Sequence, residues 1–123
     1  MSTLQVGSIL LGTTRPQELR DWYCRVLAPE YSGEGPFDLG GVLLVIDQRD
    51  DVSPVNGEPG RVIVNFHVEN FDAAAEQLRA AGVEWVVPVV DRAMGRFGTF
   101  ADPDGNLLQV IEFAPNAHAT TTA

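Results

Sequence analysis

The chain has 123 residues, 45% of them hydrophobic, and seventeen acids against eight bases give a formal net charge of −9. One domain's length of apolar-rich chain excludes wholesale disorder, and no apolar run approaches the ~18 residues of a membrane span. All the bases are arginine, and so acidic a surface is repelled by phosphate backbones: nucleic acid is excluded as a partner, while cationic ligands are favoured at long range.

The first periodic segment spans residues 4–13. Val6, Ser8 and Leu10 fall on one face and Ile9 and Leu11 on the other, the pattern of a strand apolar on both sides. Thr14-Arg15-Pro16-Gln17 reads as a capping box in which Thr14 accepts from the Gln17 amide. Leu19, Trp22, Tyr23, Val26 and Leu27 then form one helical stripe, which Pro29 ends. Lone Cys24 lies within that helical pattern, where a buried thiol is expected rather than a nucleophile. Short strands follow around 37–39 and 42–46, and residues 50–60, polar and rich in Pro and Gly, read as a linker.

The pattern then restarts. Val62, Val64, Phe66 and Val68 alternate with Ile63, Asn65 and His67 in a strand. Asp72 opens a helix with the stripe Ala74, Ala75, Leu78 and Ala81, ended by Gly82. Residues 83–90 are strand-like but carry Pro88, which points to an edge or a bend. Residues 96–101 and 107–113 are strands joined by Asp102-Pro103-Asp104-Gly105-Asn106, a hairpin turn with Asx bonding rather than a calcium loop. Residues 115–123 read as a mobile tail. The two halves align with Ser8 over Ile63 and Tyr23 over Leu78. The expected architecture is α+β: two tandem βαβββ units, about 4–49 and 61–114, forming one incomplete barrel-like cup with helices outside, within a single domain over 1–114.

Three stretches carry a family resemblance: Arg20-Asp21-Trp22-Tyr23-Cys24-Arg25-Val26-Leu27, the helix from Phe71 to Val83, and Phe100-Ala101-Asp102-Pro103-Asp104-Gly105-Asn106. They resemble the first-helix, second-helix and final-hairpin motifs of the vicinal oxygen chelate superfamily, which includes glyoxalase I, extradiol dioxygenases, fosfomycin resistance enzymes and bleomycin resistance proteins. The resemblance implies the same paired βαβββ fold, a cup that usually holds a divalent metal, and frequent dimerisation. Carried over by position, the metal ligands fall on Ser8, on Ile63, on Gln109 and near Leu43 to Val45. Isoleucine is no ligand, and hard divalent cations want carboxylates rather than neutral serine and glutamine. No metal and no cofactor is therefore expected.

Strand parity sets Val6, Ser8, Leu10, Ile63, Asn65, His67, Leu107, Gln109 and Ile111 on the inner wall. The ligand-binding set is Ser8, Phe37, Ile63, Asn65, His67, Trp85, Phe97 and Gln109, with no catalytic residue. Phe37, Trp85 and Phe97 are candidates for stacking on a planar molecule, and the amides and hydroxyl for orienting it. The reading is a metal-free protein that binds a small hydrophobic or aromatic ligand, a cationic one included, in the manner of antibiotic-sequestering, bleomycin-resistance-type proteins. It is further expected to be a cytoplasmic homodimer without nucleic-acid or membrane partners. One rival is a glyoxalase- or dioxygenase-like lyase or isomerase with an atypical or absent metal site and His67 as its acid–base group. The other is an interaction module with a self-filled cup.

Overall fold

The computed structural model describes residues 2–31, 33 and 35–115. The expected tail, 115–123, lies outside the described residues from 116 onward. The chain divides between Val55 and Asn56 into two compact units, a boundary within the 50–60 stretch. The architecture is α+β, two small sheets each carrying one helix, and neither sheet closes into a barrel.

The first unit runs β1 (Ser8–Thr13), α1 (Pro16–Leu27), β2 (Phe37–Asp38) and β3 (Leu43–Gln48). Its strands lie in the order β1-β3-β2, with β1 and β3 parallel because α1 carries the chain back before β3 begins. Leu19, Tyr23 and Val26 from one stripe of α1 are buried together with Phe37 and Leu44. Cross-strand register puts Ile9, Leu44 and Phe37 in one row, so they share that face, while Ser8, Leu10, Leu43 and Val45 take the other. The helix starts differently from expectation. Arg15 holds the N-cap position with no side-chain cap bond, and the Thr13 hydroxyl accepts from the Arg15 amide at 3.0 Å. Pro16 at the first helical position has its φ preset and no N–H to cap, which removes the need for a Thr14 box.

The second unit runs β4 (Val64–His67), α2 (Phe71–Ala80), β5 (Val87–Arg92), β6 (Gly95–Ala101) and β7 (Leu107–Phe113), the full β-α-β-β-β order; a short 3-10 turn, Pro59–Arg61, precedes it. Among the described residues the first unit carries one strand fewer. The sheet order is β4-β7-β6-β5, with β4 and β7 parallel and the other pairs antiparallel. Helix α2 begins at Asn70, whose side chain accepts from the Ala73 amide at 3.1 Å, and Glu112 Oε1 reaches from β7 to accept from the Phe71 amide at 2.7 Å. It ends in a Schellman pattern: Gly82 at φ +85 donates to Arg79, and Val83 to Leu78. The β6–β7 turn is held by the buried Asp102 carboxylate, which accepts from the amides of Asp104 and Asn106 and from the Asn106 side chain. Among the described residues, no helix is long and apolar enough to cross a membrane.

Candidate functional site

The second sheet has two unlike faces. Residues directly opposite in a ladder point the same way, so each row across the sheet belongs to one face. Leu108, Val110 and Phe100 alternate with Leu107, Gln109 and Ile111 and are buried on the helix side. Phe71 and Leu78 of α2 are buried as well, and the Trp85 ring stacks on Phe71 at 5.9 Å and stands edge-on to Phe100 at 6.2 Å. Gly98 lies beneath these rings: a Cβ there would come within 2.6 Å of Trp85.

The opposite face is built from two rows. One is Asn65, Gln109, Thr99 and Val87, and the next is His67, Ile111, Phe97 and Val90. Between Val87 and Val90 the register shifts around Pro88, which cannot donate to the ladder, so the edge strand β5 bulges there. A groove of about 320 Å³ lies on this face, lined by Val87, Pro88, Val90 and Arg92 of β5, by Met94, by Phe97 and Thr99 of β6 and by Gln109 of β7. That volume is at the small end of ligand sites, roughly 300–1,000 Å³. The wall is largely hydrocarbon and aromatic, and the polar groups on it are few. Gln109 Nε2 donates to Thr99 Oγ1 at 3.1 Å, which fixes the amide and leaves its oxygen without a partner among the described residues. The expectation of a cationic ligand rested on net charge, yet the groove lining contains no carboxylate, and its charged member is Arg92.

The expected site residues therefore separate. Phe97 and Gln109 line the groove, and Asn65 and His67 continue its two rows across β4, where the His67 ring meets Phe113 edge-on at 4.9 Å. Ile63 precedes β4 and is part-exposed. Ser8 belongs to the first unit, on the face away from its buried core. Phe37 and Trp85 lie apart from the groove. Phe37 is 1% exposed in the first unit's core, against Tyr31 and under the Arg20 guanidinium at 4.8 Å. Trp85 is packed on the helix side of the second sheet, the face opposite Gln109. Missed in the sequence were Thr99, Val87 and Val90, although Thr99 shares the parity of Phe97 and could have been found from it. Arg61 and Arg96 are engaged with acids: Arg61 pairs with Glu58 at 3.0 Å and Arg96 with Asp91 at 2.6 Å.

The positions where the resemblance puts metal ligands do not suit a metal. In the second unit they are the hydrocarbon of Ile63 and the neutral amide of Gln109. Among the described residues no group of three or more His, Cys, Asp or Glu side chains could hold an ion. The donor set has neither charge nor number for a hard divalent cation.

Residues 5–110 match the family described as the Glyoxalase/Bleomycin resistance protein/Dioxygenase superfamily. No curated protein matches the chain in sequence. Among solved structures, a glyoxalase/bleomycin resistance protein/dioxygenase from Nocardioides superimposes with a TM-score of 0.71 at 21% identity, over 94% of this chain and 87% of its own. TnmS3, an antibiotic binding protein from a Streptomyces species, gives 0.68 at 19% identity, over 93% and 99%. A variant of the fosfomycin resistance protein FosX from Listeria monocytogenes, solved with Mn(II) and 1S,2S-dihydroxypropylphosphonic acid, gives 0.66 at 16% identity, over 100% of both chains. At these identities the likeness is one of fold.

Proposed function

The chain belongs to the glyoxalase/bleomycin resistance protein/dioxygenase superfamily, and from that premise we propose that it binds a small, largely apolar organic molecule without transforming it, sequestering an antibiotic or a related secondary metabolite. The observation that carries this reading is the composition of one sheet face. Where a metalloenzyme of this fold needs charged ligands, the second unit has Ile63 and Gln109, and beside Gln109 lies an apolar groove floored by Phe97 and Thr99. In such a groove affinity comes from apolar burial, about 0.8 kcal/mol per methylene removed from water, and orientation from the Gln109 amide oxygen as acceptor. Fold likeness to TnmS3, described as antibiotic binding, supports the same class of ligand. The reading includes a cytoplasmic location and a homodimer, the latter supported by apolar side chains left exposed outside the groove, such as Leu10.

The test is thermal denaturation of the full chain against a panel of natural products, followed by calorimetric titration of any hit. A true ligand at a hundredfold excess over its Kd adds about 2.7 kcal/mol of stability, and Phe97→Asp removes that gain. No shift from any compound, together with unchanged drug sensitivity of cells expressing the protein, overturns sequestration. Stoichiometric metal in protein purified without chelator overturns the metal-free reading in favour of an enzyme with displaced ligands.

A further inference from the structure

The chain has no lysine, and most of its eight arginines are matched to an acid. Arg15 pairs with Glu18, Arg49 with Asp51, Arg61 with Glu58, Arg79 with Glu76, and Arg96 with Asp91 and Asp72. Arg20 donates to the carbonyls of Gly33 and Gly35. Arg92 differs: it is exposed, it lies on the wall of the apolar groove, and it has no partner among the described residues.

The backbone explains why. Along β5 successive side chains alternate in face, so Asp91 points with Arg96 toward the helix side and Arg92 points with Val90 toward the groove. Directly across the ladder from Arg92 stands Gly95, and beyond it Phe113. Gly95 is held as glycine by close approach: a Cβ there would lie 2.2 Å from the Glu112 carbonyl oxygen. The position beside the guanidinium is thus free of side chain. A second groove, of about 420 Å³, opens at this notch, and Arg92 lines it together with Arg96 and the acids Asp72, Asp91 and Glu112. Each of these acids has another donor: Asp72 and Asp91 hold Arg96, and Glu112 accepts from the Phe71 amide. Arg92 therefore carries a positive charge at the mouth of a carboxylate-free apolar groove, with open space next to it.

We infer that the groove's ligand is an organic anion, with an apolar or aromatic body against Phe97, Val90 and Met94 and a carboxylate, sulfonate or similar group on Arg92. This rests on the binding function proposed above and names the charge of its ligand. A guanidinium presents a planar fork of donors to such groups, and charge-assisted bonds of this kind are about twice as strong as neutral ones. A cationic ligand would instead lose hydration against hydrocarbon with no counter-charge in the lining. The net charge of −9 slows the approach of an anion. That long-range term is screened beyond about 8 Å at physiological salt, whereas the contact with Arg92 is local.

The test uses two fluorescent probes of similar body, 8-anilinonaphthalene-1-sulfonate, an anion, and N-phenyl-1-naphthylamine, which is neutral. Both are titrated into the full chain and into Arg92→Gln, Arg92→Lys and Arg79→Gln. The last removes the same charge from the exposed face of α2. The wild type is expected to bind the sulfonate about tenfold more tightly than the amine. Arg92→Gln loses that preference with the amine unchanged, Arg92→Lys keeps part of it, and Arg79→Gln stays within about twofold of wild type. If the amine binds and the sulfonate binds no better, or if Arg92→Gln matches Arg79→Gln, the anion inference fails and the binding function stands. If both probes weaken together in Arg92→Gln, Arg92 is structural and the inference likewise fails. If neither probe binds, both the inference and the binding function fall.

Discussion

The two faces of the second sheet are made by the same strands and differ in what they leave undone. On the helix side, Phe100 is fully buried, Trp85 and Phe71 close over it, and Gly98 is small because nothing larger fits beneath the rings. On the other side, Phe97 is only part-buried, Gln109 donates to Thr99 while its amide oxygen has no partner among the described residues, and neither has Arg92. One face spends its side chains on cohesion and the other keeps them available. Adjacent residues of a single strand can thus be assigned to stability or to recognition by parity alone.

That contrast can be broken by substitutions taken face by face. Phe100→Ala empties the centre of the helix side and is expected to cost about 3–5 kcal/mol in urea denaturation. Gly98→Ala forces the Trp85 and Phe71 rings apart, for about 1–3 kcal/mol by the same measurement. Phe97→Ala, one position before Gly98 but on the groove side, is expected to cost only about 1–2 kcal/mol while abolishing ligand-induced stabilisation. A cost equal to that of Phe100→Ala would erase the distinction between the faces. Glu112→Gln weakens the bond to the Phe71 amide at the start of α2, for about 1 kcal/mol, read as a lower Tm.

The smallest effect lies on neither face. The hydrogen bond from Arg79 holds the Glu76 carboxyl below its usual range on the exposed side of α2. A carboxyl whose folded pKa is lowered adds stability above its unfolded pKa and loses it as pH falls through the folded value. Glu76→Gln should therefore differ slightly from wild type in Tm at neutral pH and converge with it in acid. Solvent screening keeps the difference close to the resolution of calorimetry.

Periodic segments were the legible part of the chain. In β7 the alternation of Leu107, Gln109 and Ile111 assigned the groove face directly, and in α2 the Leu78 stripe and Gly82 located the buried side and the end of the helix. Where periodicity is too short to orient a residue, the sequence leaves its face open. Trp85 precedes β5 by two residues and has no strand parity to follow, and Phe37 sits in a strand of two residues. Both were drawn into cores because a large ring gains more from burial than from a half-open wall. The isolation of Arg92 was invisible in sequence, where Asp91 stands next to it. Only the pleat, which turns neighbours to opposite faces, separates the two charges.

The bulge at Pro88 has a consequence for solubility. β5 is an edge strand with Val87 and Val89 exposed, and Val87 is part of the groove wall. A straight apolar edge of that kind templates the addition of a strand from another molecule, the first step toward aggregates. Pro88 withholds one amide and the register shift breaks the spacing of the rest. The edge can therefore stay greasy enough to hold a ligand without becoming a seed for assembly.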